Sequence, residues 1–171
     1  MEDFTDIAAE HLRGREGGLC WNIRIPSAAG AAWSEMTELW RGAAERRLAA
    51  VSGAELSIRW EFAVTHFDGQ AISLYMDMTE ACGGVVKAFR RIGQTWITNA
   101  SRRRGENALL LTDPALYLRI KARRVSAREE CRYIRGGVPV SAVNSFPGEA
   151  RERRFCPSAY ISERPLAAVH E

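Results

Sequence analysis

Cys82 is, by residue type and setting, the side chain best equipped for chemistry. It precedes Gly83-Gly84, where glycine pairs allow positive φ angles and close backbone approach, and Lys87 follows, a cation that could draw the thiol toward the reactive thiolate. His66 with Asp68 is the second candidate, an imidazole and a carboxylate close enough in the chain to make a local acid–base pair. His11 and His170 lie near the chain ends. No nucleophile elbow, zinc-binding helix motif or phosphate-cradling glycine loop is present, so a serine or cysteine nucleophile has no base at a recognisable spacing. Glu129-Glu130 and the pair Glu149 and Glu152 sit among mixed charges and read as solvated surface. The expectation is therefore no catalytic residue and no enzyme. An enzyme built on Cys82 or His66 is the alternative.

The remaining cysteines, Cys20, Cys131 and Cys156, form no C-x-x-C pair with each other or with Cys82, and no histidine stands at ligand spacing. No metal and no cofactor is expected, and the thiols read as reduced. The formal charge is +3, and Lys87 and Lys121 are the only lysines among 24 basic residues. Arginine clusters at 102–104, 123–124 and 151–154 suit carboxylate or phosphate. Single-strand nucleic-acid binders interleave basic residues with exposed aromatics, whereas alternation puts Trp60, Phe62 and Trp96 on core-facing sides. An arginine-dependent nucleic-acid binder is thus a further alternative, and nucleic acid is not the expected partner.

The elements that must position these residues are clearest at 56–84. Leu56, Ile58, Trp60, Phe62 and Val64 alternate with polar or small residues, as do Ile72, Leu74, Met76 and Met78, and Asp68-Gly69 lies between. Period two on both sides of Asp-Gly predicts an antiparallel hairpin with one buried face. Upstream, 1–18 reads as a short polar helical start and a flexible segment, then 20–25 as a strand stopped by Pro26, then 31–50 as an amphipathic helix with a Trp33/Met36/Trp40 stripe. Downstream, 86–90 and 94–98 read as two strands bent at Gly93, and Asp113-Pro114 starts a second helix reaching about 134, ended by Gly136-Gly137. Short strands are expected at 154–156 and 159–161. The predicted fold class is α+β: an antiparallel sheet against two main helices, with a strand-helix-hairpin module at 19–84 and a second module at 85–171 in one compact unit.

With 171 residues, 46% hydrophobic and 26% charged, the chain can bury a substantial core without disulfide or metal. Its apolar runs are too short to span a bilayer, and Met1-Glu2-Asp3 begins no basic-then-apolar leader. The expectation from the residues is a cytoplasmic chain with no membrane insertion.

The order of these motifs resembles a known family. Ile23-Arg24-Ile25-Pro26, the 31–50 helix, the run from Phe62 through Thr65-His66-Phe67-Asp68-Gly69 to Ile72-Ser73-Leu74-Tyr75-Met76-Asp77, and the Gly83-Gly84 pair are similar to the RsiV-like extracytoplasmic domains of anti-sigma factors, also found at the N-terminus of PdaC-type peptidoglycan deacetylases. Gln94-Thr95-Trp96, the 109–113 step and the run 154–169 continue the likeness over about 20–171. Where the family carries Gly-Gly-Ala-His, this chain has Gly83-Gly84-Val85-Val86. The resemblance implies an extracytoplasmic, non-enzymatic binding domain that holds a protein or glycan ligand through loops, with Gly83, Gly84, Tyr160 and Arg164 as the ligand-binding residues.

Overall fold

The computed structural model describes residues 7–28, 33–68, 71–97, 109–111 and 130–165. Strands β1 (Ile7–Glu16), β2 (Leu19–Ala28), β3 (Leu56–Phe67), β4 (Ala71–Cys82), β5 (Val85–Ile97) and β6 (Leu109–Leu111) lie side by side in that order, and the short β9 (Ala150–Arg151) joins them by pairing with the start of β5. Strands β7 (Glu130–Arg135), β8 (Val138–Asn144) and β10 (Ile161–Pro165) form a second sheet in the order β10-β8-β7. Neighbours are antiparallel except β2 and β3, which run parallel. Helix α1 (Ser34–Ala50) lies between that parallel pair in the chain, as a parallel crossover requires.

The β3–β4 hairpin has the expected alternation. Ile58, Trp60, Ile72, Leu74 and Met76 are all buried, and α1 covers the same face with Trp33, Met36, Trp40 and Ala44, residues spaced at helical repeat. Trp40 meets Trp60 edge to face, with ring centres 6.2 Å apart. Thr37 Oγ1 donates to the Pro26 carbonyl at 2.9 Å, and bidentate pairs Arg41–Glu10 and Arg47–Glu80 fasten the helix to β1 and β4.

The other face of the first sheet is covered at its β4–β5 end by the second sheet. Strand β7 lies across β3, β4 and β5 rather than beside an edge, so its backbone groups facing the first sheet need side-chain partners. Ser73 Oγ accepts the Ile134 N–H at 2.6 Å, and Thr65 Oγ1 donates to the Ile134 carbonyl. Alternation along β3 already turns Thr65 to this face, and the bulge between Val64 and His66 leaves it without a ladder partner of its own on β4.

Several sequence expectations are corrected. The fold is mainly β, with one α-helix among the described residues, and is not an α+β fold with two main helices. Residues 130–134, expected to finish a second helix, lie in β7, and Gly136-Gly137 is the β7–β8 hairpin turn rather than a helix stop, with φ of 56° and 80°. Residues 113–129 and the clusters at 102–104 and 123–124 lie outside the described residues, as do Gly69 and His170. The segment expected to be a helical start and flexible arm contains β1, paired with β2 over its full length. Pro26 does not end β2: the ladder to β3 closes at Ile23–Trp60, so the absent proline N–H interrupts no pairing there. Gly93 is no bend, since β5 runs through it. Of the two tail strands, 154–156 lies at and beyond a 3-10 turn, Glu152–Arg154, and 159–161 runs from a second, Pro157–Tyr160, into β10. No helix among the described residues is long and apolar enough to cross a membrane.

Candidate functional site

Two polar constellations occupy the face away from α1. The inner one joins the sheets. Arg91 on β5 donates through Nε and Nη2 to both oxygens of Asp77 on β4, at 2.6 and 2.8 Å, and its guanidinium lies 3.6 Å from the centre of the Tyr75 ring. The two ionic side chains are only 5% and 11% exposed. Burial opposes the Arg91 charge, but the hydrogen bonds and charge of Asp77 outweigh it and hold the pKa above the ordinary arginine value. Arg91 Nη1 also donates to the Tyr133 hydroxyl at 3.2 Å, and that hydroxyl donates to Glu163 on β10. Arg135 donates to both Glu163 oxygens, at 2.8 and 2.6 Å. Burial, and then the bond to Glu163, push the Tyr133 phenol up, while burial raises the neighbouring Cys131 thiol to about 11. With its charges matched in this way, the cluster acts as a tie between sheets.

The hydrogen bonds from Arg135 hold the Glu163 carboxyl below the usual carboxylate range, against the effect of its partial burial. A depressed carboxylate contributes stability above its unfolded pKa, near 4.3, and loses it as pH falls through the lower folded value. Glu163→Gln is therefore expected to cost about 1.5–3 kcal/mol at pH 7, the worth of charge-assisted hydrogen bonds. The gap between variant and wild-type melting curves should close as pH falls below about 4. A gap unchanged at low pH would show that Glu163 is held by something other than its charge.

The outer constellation is a cleft of about 520 Å³. Its floor is the uncovered face of β2, β3 and β4, including Asn22, Arg59 and Thr79, and the segment carrying Glu152, Phe155 and Cys156 closes it from above. Phe155 is fixed by edge-to-face contacts with Phe89 and Phe146 and by stacking on Tyr160, at 5.3, 5.8 and 5.5 Å. The segment is tied to the β4–β5 turn by the Glu152 N–H, which donates to the Gly84 carbonyl at 2.9 Å. Arg59 pairs with Glu61 on the floor. The Cys156 thiol is held below its usual value by the Ser158 hydroxyl, 3.1 Å from its Sγ. Asn22 Oδ1 is buried and has no hydrogen-bond donor among the described residues.

The residues singled out in the sequence are dispersed around this site. Gly83 and Gly84 form the β4–β5 turn with φ of 60° and 78°, and help line a shallow depression that shares Cys20, Ser57 and Glu152 with the cleft. Tyr160 supports Phe155 from behind. Arg164 is exposed on β10, and because Glu163 points to the inner cluster, alternation turns Arg164 to the opposite face. Cys82 is exposed beside the turn, while His66, with its side chain 13% exposed, bonds Asp68 through Nε2 at 3.1 Å. His66 is paired across the hairpin with Ser73, so roughly 30 Å of strand separates the two candidate chemical groups, at about 3.3 Å per residue. Asn22, Thr79 and Phe155 were not singled out by sequence. Their only signal was membership of the non-apolar half of an alternating strand, or of a proline-rich tail. No family model matches the chain, and no curated protein matches it.

Proposed function

We propose that this chain is a non-catalytic binding domain, of the kind the RsiV-like resemblance implies, and that it holds a protein or glycan group in the cleft between the β2–β4 face and residues 152–157. The reading is carried by Asn22. Its buried Oδ1 lacks a donor at the floor of a preformed cleft, and an unsatisfied buried acceptor costs about 1–3 kcal/mol that a ligand N–H or O–H recovers. Of the carboxylates lining the cleft, Glu61 is engaged by Arg59 and Asp77 by Arg91, which suits them to holding the floor in shape, and Glu152 stands on the segment above it. The mixture of an aromatic edge, an amide and an arginine–glutamate pair suits a neutral polar ligand such as a sugar or a peptide backbone.

Asn22→Leu separates binding from folding because its two effects have opposite signs. Removing the orphaned acceptor while keeping the volume is expected to stabilise the free protein by about 1 kcal/mol. Loss of the ligand's partner is expected to weaken binding about tenfold or more. The measurement is a thermal shift against muropeptides, chito-oligosaccharides and lysozymes, where a ligand at about 100 times its Kd adds about 2.7 kcal/mol to the wild-type protein. No shift with any of that panel, or equal shifts in wild type and variant, overturns the reading.

A further inference from the structure

β1 carries a surface that the cleft does not use. Among the described residues β1 has one neighbour, β2, so its outer edge presents backbone N–H and C=O groups over a ten-residue strand without proline or bulge. The register places Arg13 opposite Asn22 and Arg15 opposite Cys20, and both partners line the cleft, so these arginines stand on the cleft side of the sheet. His11 stands with them, opposite Arg24. All four of these basic side chains are exposed, and Arg13, Arg15 and Arg24 make no ion pair among the described residues. On the α1 side of the same strand Glu10 is held by Arg41.

We propose that the free edge of β1 docks an extended acidic segment of a partner protein as an added strand, with carboxylates at alternate positions. An added strand satisfies the open backbone edge, and its period of two brings every second side chain to the face that Arg13 and Arg15 occupy. Carboxylates there meet guanidinium groups in the bidentate geometry arginine favours. The intervening side chains fall on the α1 side, where Glu10 already has its arginine and further acid is repelled. The partner motif is therefore acidic-neutral-acidic-neutral rather than a block of acids. Nucleic acid offers phosphates to the arginines but brings no strand edge for β1, and two of the rings that could stack bases are engaged, Trp60 in the core and Phe155 against Tyr160. This surface goes beyond the cleft reading and stands without it.

The test is fluorescence anisotropy on the full chain with a labelled synthetic peptide the length of β1, glutamate alternating with threonine. Three comparison probes are the same composition with its glutamates in one block, the alternating peptide N-methylated at alternate backbone nitrogens, and labelled oligo-dT. The alternating peptide is expected to bind, and to weaken severalfold as ionic strength rises from about 0.05 to 0.3 M. The blocked and N-methylated peptides should bind at least about tenfold more weakly, as should the alternating peptide with Arg13→Thr/Arg15→Thr protein. Arg46→Glu, on an exposed position of α1, changes net charge equally and should leave binding unaltered. Circular dichroism and melting of the double variant verify that it is folded. Equal binding of all peptides, preference for oligo-dT, insensitivity to N-methylation or an absence of binding at low salt each overturns the proposal. Arg13 and Arg15 do not line the cleft, so these outcomes are independent of Asn22→Leu.

Discussion

Asp77→Ala is expected to destabilise the protein by about 3–5 kcal/mol, the cost of leaving one member of a buried ion pair uncompensated. The guanidinium of Arg91 is enclosed by the Tyr75 ring, Tyr133 and the strands of both sheets, and Asp77 supplies its two shortest hydrogen bonds. With the carboxylate gone, Arg91 cannot readily discharge and cannot reach water without separating β7 from β5. The Tyr133 and Glu163 contacts that depend on its position weaken at the same time. Urea unfolding monitored by tyrosine and tryptophan signals should show the lower midpoint, with a fall in melting temperature of roughly 10 °C or more. Asp77→Leu/Arg91→Met tests the cause. If the uncompensated charge is responsible, the double variant recovers much of the loss, because apolar replacement of a complete buried pair is often neutral. A single variant within about 1 kcal/mol of wild type would show that the pair is not the tie between the sheets.

Gly93→Ala is expected to be nearly as costly, at about 3 kcal/mol, the upper range of overpacking. A Cβ at Gly93 would lie 2.3 Å from the Arg132 carbonyl oxygen and 2.8 Å from its carbon, both backbone atoms of β7, and 3.0 Å from the Tyr133 ring. Neither strand can yield locally, since β5 is paired with β4 and β7 with β8. The second sheet must lift, carrying Ile134 away from Ser73 and Thr65. Gly42→Ala in α1 is the matched control, because there the new Cβ meets only the end of the Arg46 side chain at 3.2 Å. That change is expected to stabilise the helix by up to about 1 kcal/mol. Opposite signs for the same substitution, measured by chemical denaturation, would establish Gly93 as a backbone crossing point. A neutral Gly93→Ala would remove that assignment.

The hairpin at 56–82 was legible because alternation is a local property: each side chain's face follows from its parity, and Asp68 closes the turn by accepting the Ala71 N–H on its Oδ1 at 2.8 Å. Helix α1 was legible for the same reason, with a different period. β1 was not, since an edge strand with one free face carries His11, Arg13 and Arg15, and Gly14 reads as a breaker although it lies beneath the Trp21 ring. β7 was misread because Tyr133 and Ile134 are both fully buried at successive positions, which erases the period-two signal.

The β3–β4 hairpin, the helix α1 and the face each buries were thus determined by the chain itself, through local periodicities that need no knowledge of distant residues. The second sheet, the Asp77–Arg91–Tyr133–Glu163 tie and the cleft at Asn22 were decided only by tertiary structure. Their members are far apart in the chain and join elements whose crossing depends on the absence of a side chain at Gly93. Such sites are made by close approach between surfaces, and a one-dimensional pattern specifies which side of a strand is apolar without specifying what will be laid across the other side.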